Sequence, residues 1–112
     1  MRRVIVESPY KARWWWQRWQ NRRYARAALH DCLARNEAPF ASHLLYTQPG
    51  VLRDGVVLER ELGIRAGFTW GTQAQAVVVY EDRGVSDGMR RGIQRAKDIG
   101  MPVEYRSLNG KN

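Results

Sequence analysis

The chain is poor in the residues that cross-link, ligate metals or shuttle protons. It holds one cysteine, Cys32, and two histidines among 112 residues. A lone cysteine closes no internal disulfide and builds no thiolate metal site, and two dispersed histidines supply no ligand set. Neither a metal nor an organic cofactor is therefore expected. No P-loop, dinucleotide fingerprint or G-x-S-x-G elbow is present, so the common nucleotide-binding and hydrolase motifs are absent. The longest apolar run, residues 76–80, is far short of a membrane span, and the N-terminus lacks a signal-type apolar core. Lysine is scarce too: arginine outnumbers it sixteen to three. A basic, soluble, cytoplasmic protein with no membrane partner is the expectation.

What is present is charge and tryptophan, both crowded into one third of the chain. Residues 1–35 carry nine Lys/Arg against Glu7 and Asp31, a balance of +7 out of the formal +8. Residues 36–112 carry ten against nine. The arginine bias favours groups that fork onto phosphates or carboxylates and stack on flat rings. Four of the five tryptophans, Trp14, Trp15, Trp16 and Trp19, lie within six residues, flanked by Arg13 and Arg18. Three consecutive tryptophans cannot all face one core, because neighbouring side chains diverge on either a helix or a strand. The segment reads as a partner or subunit interface, as a lid over a ligand, or as packing. Arg13, Trp14, Trp15, Trp16, Arg18 and Trp19 are its partner-binding candidates.

Hydrophobic periodicity places the elements. Residues 3–7 form a β-branched strand ended by Ser8-Pro9-Tyr10. A helix from about residue 18 to 35 has Ala25, Ala28, Leu29, Cys32 and Leu33 in one stripe. Residues 38–42 make a second strand and residues 43–55 a loop. A second helix over 57–71 has Leu58, Leu62, Ile64 or Arg65, and Phe68 in phase. Residues 76–80 are continuously apolar, as in a strand buried on both faces of a parallel sheet. Ser86 or Asp87 caps a third helix running to Ile99, and residues 103–105 form a last strand. Residues 1–108 are expected as one domain, with 109–112 a frayed tail.

This β-α-β-α-β-α-β order implies an α/β fold: a small Rossmann-like three-layer sandwich around a mostly parallel sheet of four to five strands. Ligands in such folds sit beyond the carboxyl ends of the strands, where strand order reverses. There the loops after the first and third strands converge, and the third helix points free N–H groups at the crevice. The ligand-binding candidates are Ser8, Pro9, Tyr10, His43, Glu81, Ser86, Asp87, Gly88 and Met89. Tyr10, Glu81 and Asp87 are the candidates for chemistry.

Several runs together resemble one superfamily: Val4-Ile5-Val6-Glu7-Ser8-Pro9-Tyr10, Tyr24-Ala25-Arg26-Ala27-Ala28, Ala38-Pro39-Phe40-Ala41-Ser42-His43-Leu44-Leu45-Tyr46-Thr47-Gln48, Gly67-Phe68-Thr69-Trp70, and Ser86-Asp87-Gly88-Met89. The chain resembles the nucleoside 2-deoxyribosyltransferase-like superfamily, most closely a small phage-associated branch of unassigned activity. The resemblance implies a pocket for nucleosides or nucleotides, cleavage or exchange of an N-glycosidic bond, and a homo-oligomer, a dimer first. It places the family tyrosine at Tyr10, an acid at Glu81, and the carboxylate nucleophile at position 92. That position is Gly92, and no neighbouring carboxylate shares its helical phase. The leading expectation is thus a catalytically degenerate protein, a phage effector in the host cytoplasm, that binds a nucleotide-like molecule or a host protein. The alternatives are an active N-glycosidase or deoxyribosyltransferase with a rewired nucleophile at Glu81 or Asp87, and nucleic-acid binding through the Arg/Trp segment.

Overall fold

A computed structural model describes residues 1–109, so the last three positions of the expected tail lie outside the described residues. The chain runs β1 (Arg2–Glu7), α1 (Trp15–Ala34), β2 (Glu37–Phe40), α2 (Ser42–Leu45), α3 (Val57–Gly71), β3 (Ala76–Tyr80), α4 (Asp87–Asp98) and β4 (Val103–Arg106). The four strands form one sheet in the order β2-β1-β3-β4, and every pairing is parallel. The α/β class and parallel sheet follow the sequence expectation. The order reverses between β1 and β3, and right-handed crossovers then put α1 on one face and the later helices on the other. Among the described residues no helix is long and apolar enough to cross a membrane.

Alternation along the strands divides the core into two layers. Val4 and Val6 of β1, with Ala76, Val78 and Tyr80 of β3, pack against Ala28 and Cys32 of α1. Ile5, Val77 and Val79 face Met89, Ile93 and Ala96 of α4. Tyr80 and Cys32 are buried in a polar pocket of the first layer. There Tyr80 donates to Asp31 (2.6 Å), and Arg106 donates to both oxygens of Glu37 (2.7 and 2.8 Å). Arg2 completes the group with bonds to Glu37 (2.6 Å) and Glu104 (2.7 Å). Arg106 first, and Arg2 after it, hold the Glu37 carboxyl at about 2, well below the ordinary range.

Four sequence expectations change. Helix α1 begins at Trp15, three residues early, because the Gln17 side chain accepts a hydrogen bond from the Trp14 N–H and closes the first turn. Its end is set by Asn36 at φ +60°, a left-handed position that asparagine tolerates. The expected second strand ends at Phe40, and Ser42 begins the short helix α2 inside what reads as loop. Leu33, placed on the α1 stripe, is exposed, as are Leu58 (82% accessible) and Leu62 of α3. The α3 helix docks through its small residues instead. A Cβ on Gly67 would lie 2.6 Å from Ser42 Oγ and 2.8 Å from Ser42 Cβ, so glycine is what lets α3 rest on α2.

Gly67→Ala is therefore expected to destabilise the fold by about 1–3 kcal/mol through overpacking, despite alanine's better helix propensity. A urea titration checks this, and unchanged stability would mean that α2 shifts freely.

Candidate functional site

The switch point between β1 and β3 opens into a cavity of about 410 Å³. Four segments build it. The end of β1 and the loop after it bring Glu7, Ser8 and Tyr10; α2 and its exit bring His43, Tyr46 and Thr47; α3 brings Arg60, Gly63 and Gly67; α4 brings Ser86, Asp87, Gly88, Met89 and Gly92. Seven of the residues expected from sequence thus come together: Ser8, Tyr10, His43, Ser86, Asp87, Gly88 and Met89. Pro9 is buried beside the cavity and is not part of its wall. Glu81 is exposed just past the end of β3 and lines neither this cavity nor the cleft beside it. Its neighbour Asp82 is a latch. It accepts from Tyr24 Oη (2.5 Å), Ser107 Oγ (2.6 Å) and the Leu108 N–H (2.9 Å), tying β3 to α1 and the C-terminal segment. Burial opposes its charge, but these donors win and hold it at about 2.

The central group was not among the candidates. Glu7 shares the inward face of β1 with Ile5, since Val4 and Val6 occupy the other side. Its carboxyl reaches across to α4 and settles on the backbone of Gly92. A Cβ built on Gly92 would overlap Glu7 Oε2 and lie 2.5 Å from its Cδ. The strand thus delivers a carboxyl into the space a side chain at position 92 would fill. Glu7 is half-buried, opens onto the cavity, and its carboxyl has no hydrogen-bond partner among the described residues. Burial alone pushes it up to about 8. One signal could have found it: a glutamate in phase with the half-buried Ile5 on a central strand.

Around Glu7 the polar groups are fixed. Ser8, 4% exposed, pairs through Oγ with His43 Nε2 (2.9 Å). Burial lowers His43 to about 4, so its ring is neutral at neutral pH. Tyr10 meets that ring edge-on, with centroids 5.7 Å apart. Arg22 of α1 donates to Tyr10 Oη (3.1 Å), and Asn21 donates to the Tyr10 carbonyl (3.3 Å), anchoring the loop to the helix. Ser86 accepts from the Met89 N–H (3.3 Å) and caps α4. Asp87 turns outward to Arg90 (2.8 Å) and is almost fully exposed. Among the described residues no three His, Cys, Asp or Glu side chains stand where they could share a metal ion.

Chemically this is a half-apolar cavity with one proton-holding carboxyl on its floor, a neutral imidazole on its wall and a helix N-terminus at its rim. An anion is favoured at such a terminus. The carboxyl can donate a hydrogen bond when neutral and attack or attract an electrophilic carbon when ionised.

The two titrating groups leave opposite marks on stability. Folding raises Glu7 from 4.5 to about 8, so its contribution is full below 4.5 and is lost as pH climbs to 8. Folding lowers His43 from 6.5 to about 4, so its contribution is full above 6.5 and is lost as pH falls to 4. Between 4.5 and 6.5 the two offset, and above 6.5 only Glu7 still titrates. Stability is expected to fall between pH 6.5 and 8, and Glu7→Gln to flatten that limb. Urea titrations across the range check it; a limb unaltered by the substitution contradicts the assignment.

No curated protein and no solved structure matches the chain. One family profile does, over residues 2–106, which spans β1 through β4 and every segment of the cavity. The chain belongs to that family, described as a domain of unknown function (DUF7768).

Proposed function

We propose that the cavity binds a nucleoside or nucleotide and that Glu7 serves as the carboxylate for cleaving its N-glycosidic bond. The observation that carries this reading is the seat of Glu7 on Gly92. The resemblance to deoxyribosyltransferase-like proteins puts a carboxylate nucleophile at position 92, where this helix has only hydrogen. A carboxyl arriving from β1 occupies that space instead. The rewired nucleophile is then neither Glu81, which lies outside the cavity, nor Asp87, which is turned to solvent.

In the reaction, an ionised Glu7 oxygen bonds to the anomeric carbon as the carbon–nitrogen bond breaks. The base leaves with that electron pair and takes a proton from water. Water or a second base then displaces Glu7 from the sugar, giving its proton to the hydroxide left by the first step; the carbon–oxygen ester bond breaks with its electron pair on Glu7, and the carboxylate is restored. Tyr10 and the neutral His43 face the ligand as hydrogen-bonding and stacking groups, and the α4 terminus receives its anionic end. Because attack needs the ionised form and Glu7 sits near 8, the rate is expected to rise with pH through that value.

Chromatography of deoxynucleosides and nucleotides incubated with the protein should show free base. Glu7→Gln should cut its release by at least about 100-fold while leaving nucleotide binding by calorimetry in place. Binding without base release would reduce the site to a binding pocket, the reading that Gly92 alone suggests. Neither binding nor release would reject both.

A further inference from the structure

We propose that the N-terminal half of α1 and the cleft beside it form a track for single-stranded nucleic acid that leads to the mouth of the cavity.

The first observation is unpaired charge. Residues 8–30 hold six cations, Lys11, Arg13, Arg18, Arg22, Arg23 and Arg26, and no acid. Among the described residues none of the six makes an ion pair; Arg3, Arg65, Arg83, Arg95 and Lys97 are unpaired as well but lie scattered over the rest of the chain, whereas these six crowd one segment. The second is their spacing. Trp15, Arg18, Trp19 and Arg22 stand at intervals of three and four on α1 and share one face. Trp15 is 74% exposed and Trp19 54%. Rings and cations therefore alternate along the helix, as bases and phosphates alternate along a strand. The third is continuity. A cleft of about 510 Å³ is lined by five cations, Lys11, Arg18, Arg22, Arg53 and Arg60, against two acids, Asp54 and Glu61, each paired with an arginine, and it shares Tyr10, Lys11 and Arg60 with the cavity.

These features select the occupant. A second copy docked about a two-fold axis would set this patch against itself, like charge on like charge. A head-to-tail copy would need an acidic face, but Glu37, Asp54, Glu59, Glu61 and Glu104 are already engaged by arginines. An acidic protein would satisfy the cations and leave the flat rings unused. A single strand uses both, because phosphates neutralise the cations while unstacked bases lie on indole faces. Insertion of one nucleotide of that strand into the cavity rests on the nucleotide reading above; docking on the track does not.

The test is fluorescence anisotropy of a labelled oligothymidylate of about ten nucleotides with the full chain, from about 50 to 200 mM salt. Binding should weaken roughly 50-fold across that range if about four phosphates are neutralised. Trp15→Ala and Trp19→Ala, both at exposed positions, should each weaken it about ten-fold, and Arg18→Gln should flatten the salt dependence. No binding at low salt, or affinity unchanged in the tryptophan variants, overturns the track. So does a dimer in sedimentation that Trp15→Ala dissolves while the oligonucleotide stays unbound. Free nucleotide still bound in calorimetry would then show that the cavity reading survives the failure of the track.

Discussion

The proposed chemistry depends on one contact between strand and helix: the carboxyl of Glu7 fills the space that a side chain at Gly92 would take. Everything around it is consistent with that contact. Only glycine permits it, because any Cβ would occupy the carboxyl's space. The acid comes from β1, a central strand paired on both sides by β2 and β3. Burial around this unpartnered carboxyl also raises its proton affinity, a combination that recurs at functional sites. A helix position left bare by glycine is thus filled by a carboxyl from a different element.

The charges of the protein are organised on two levels. In the layer under α1, Arg106, Arg2, Glu37 and Glu104 satisfy one another, and Tyr80 and Asp31 close the group. Breaking one partner there would strand a buried charge. On the outer face of α1 the cations have no acid to meet. Internal charges are paired for structure, and those beside the cavity are left available. Six uncompensated cations thus crowd one local surface, which begins at the Tyr10–Arg22 contact and runs along the tryptophans.

Most of the scaffold was legible in the amino-acid order. The switch from strand to helix period located all three long helices and all four strands, and the parallel topology followed from their alternation. Ser8, Tyr10, His43 and the 86–89 turn were also legible as one site, because strand ends converge wherever the order reverses. Other features depended on contacts between distant residues. The leucines of α3 are in helical phase yet exposed, because Gly67 lets the helix dock on Ser42 through its small face. Glu7 at the end of a strand looks like a solvent-facing terminus until α4 is seen to cover it. Glycine at 92 signals a missing group, and only the fold reveals that a carboxyl lies over it.

The most direct measurement of the central claim is the proton affinity of the Glu7 carboxyl itself, followed by carbon-13 NMR with and without a nucleoside monophosphate. The account predicts a midpoint near 8 in the free protein and a resonance that moves when the nucleotide binds. A midpoint at the ordinary 4.5, with no response to the nucleotide, would contradict it.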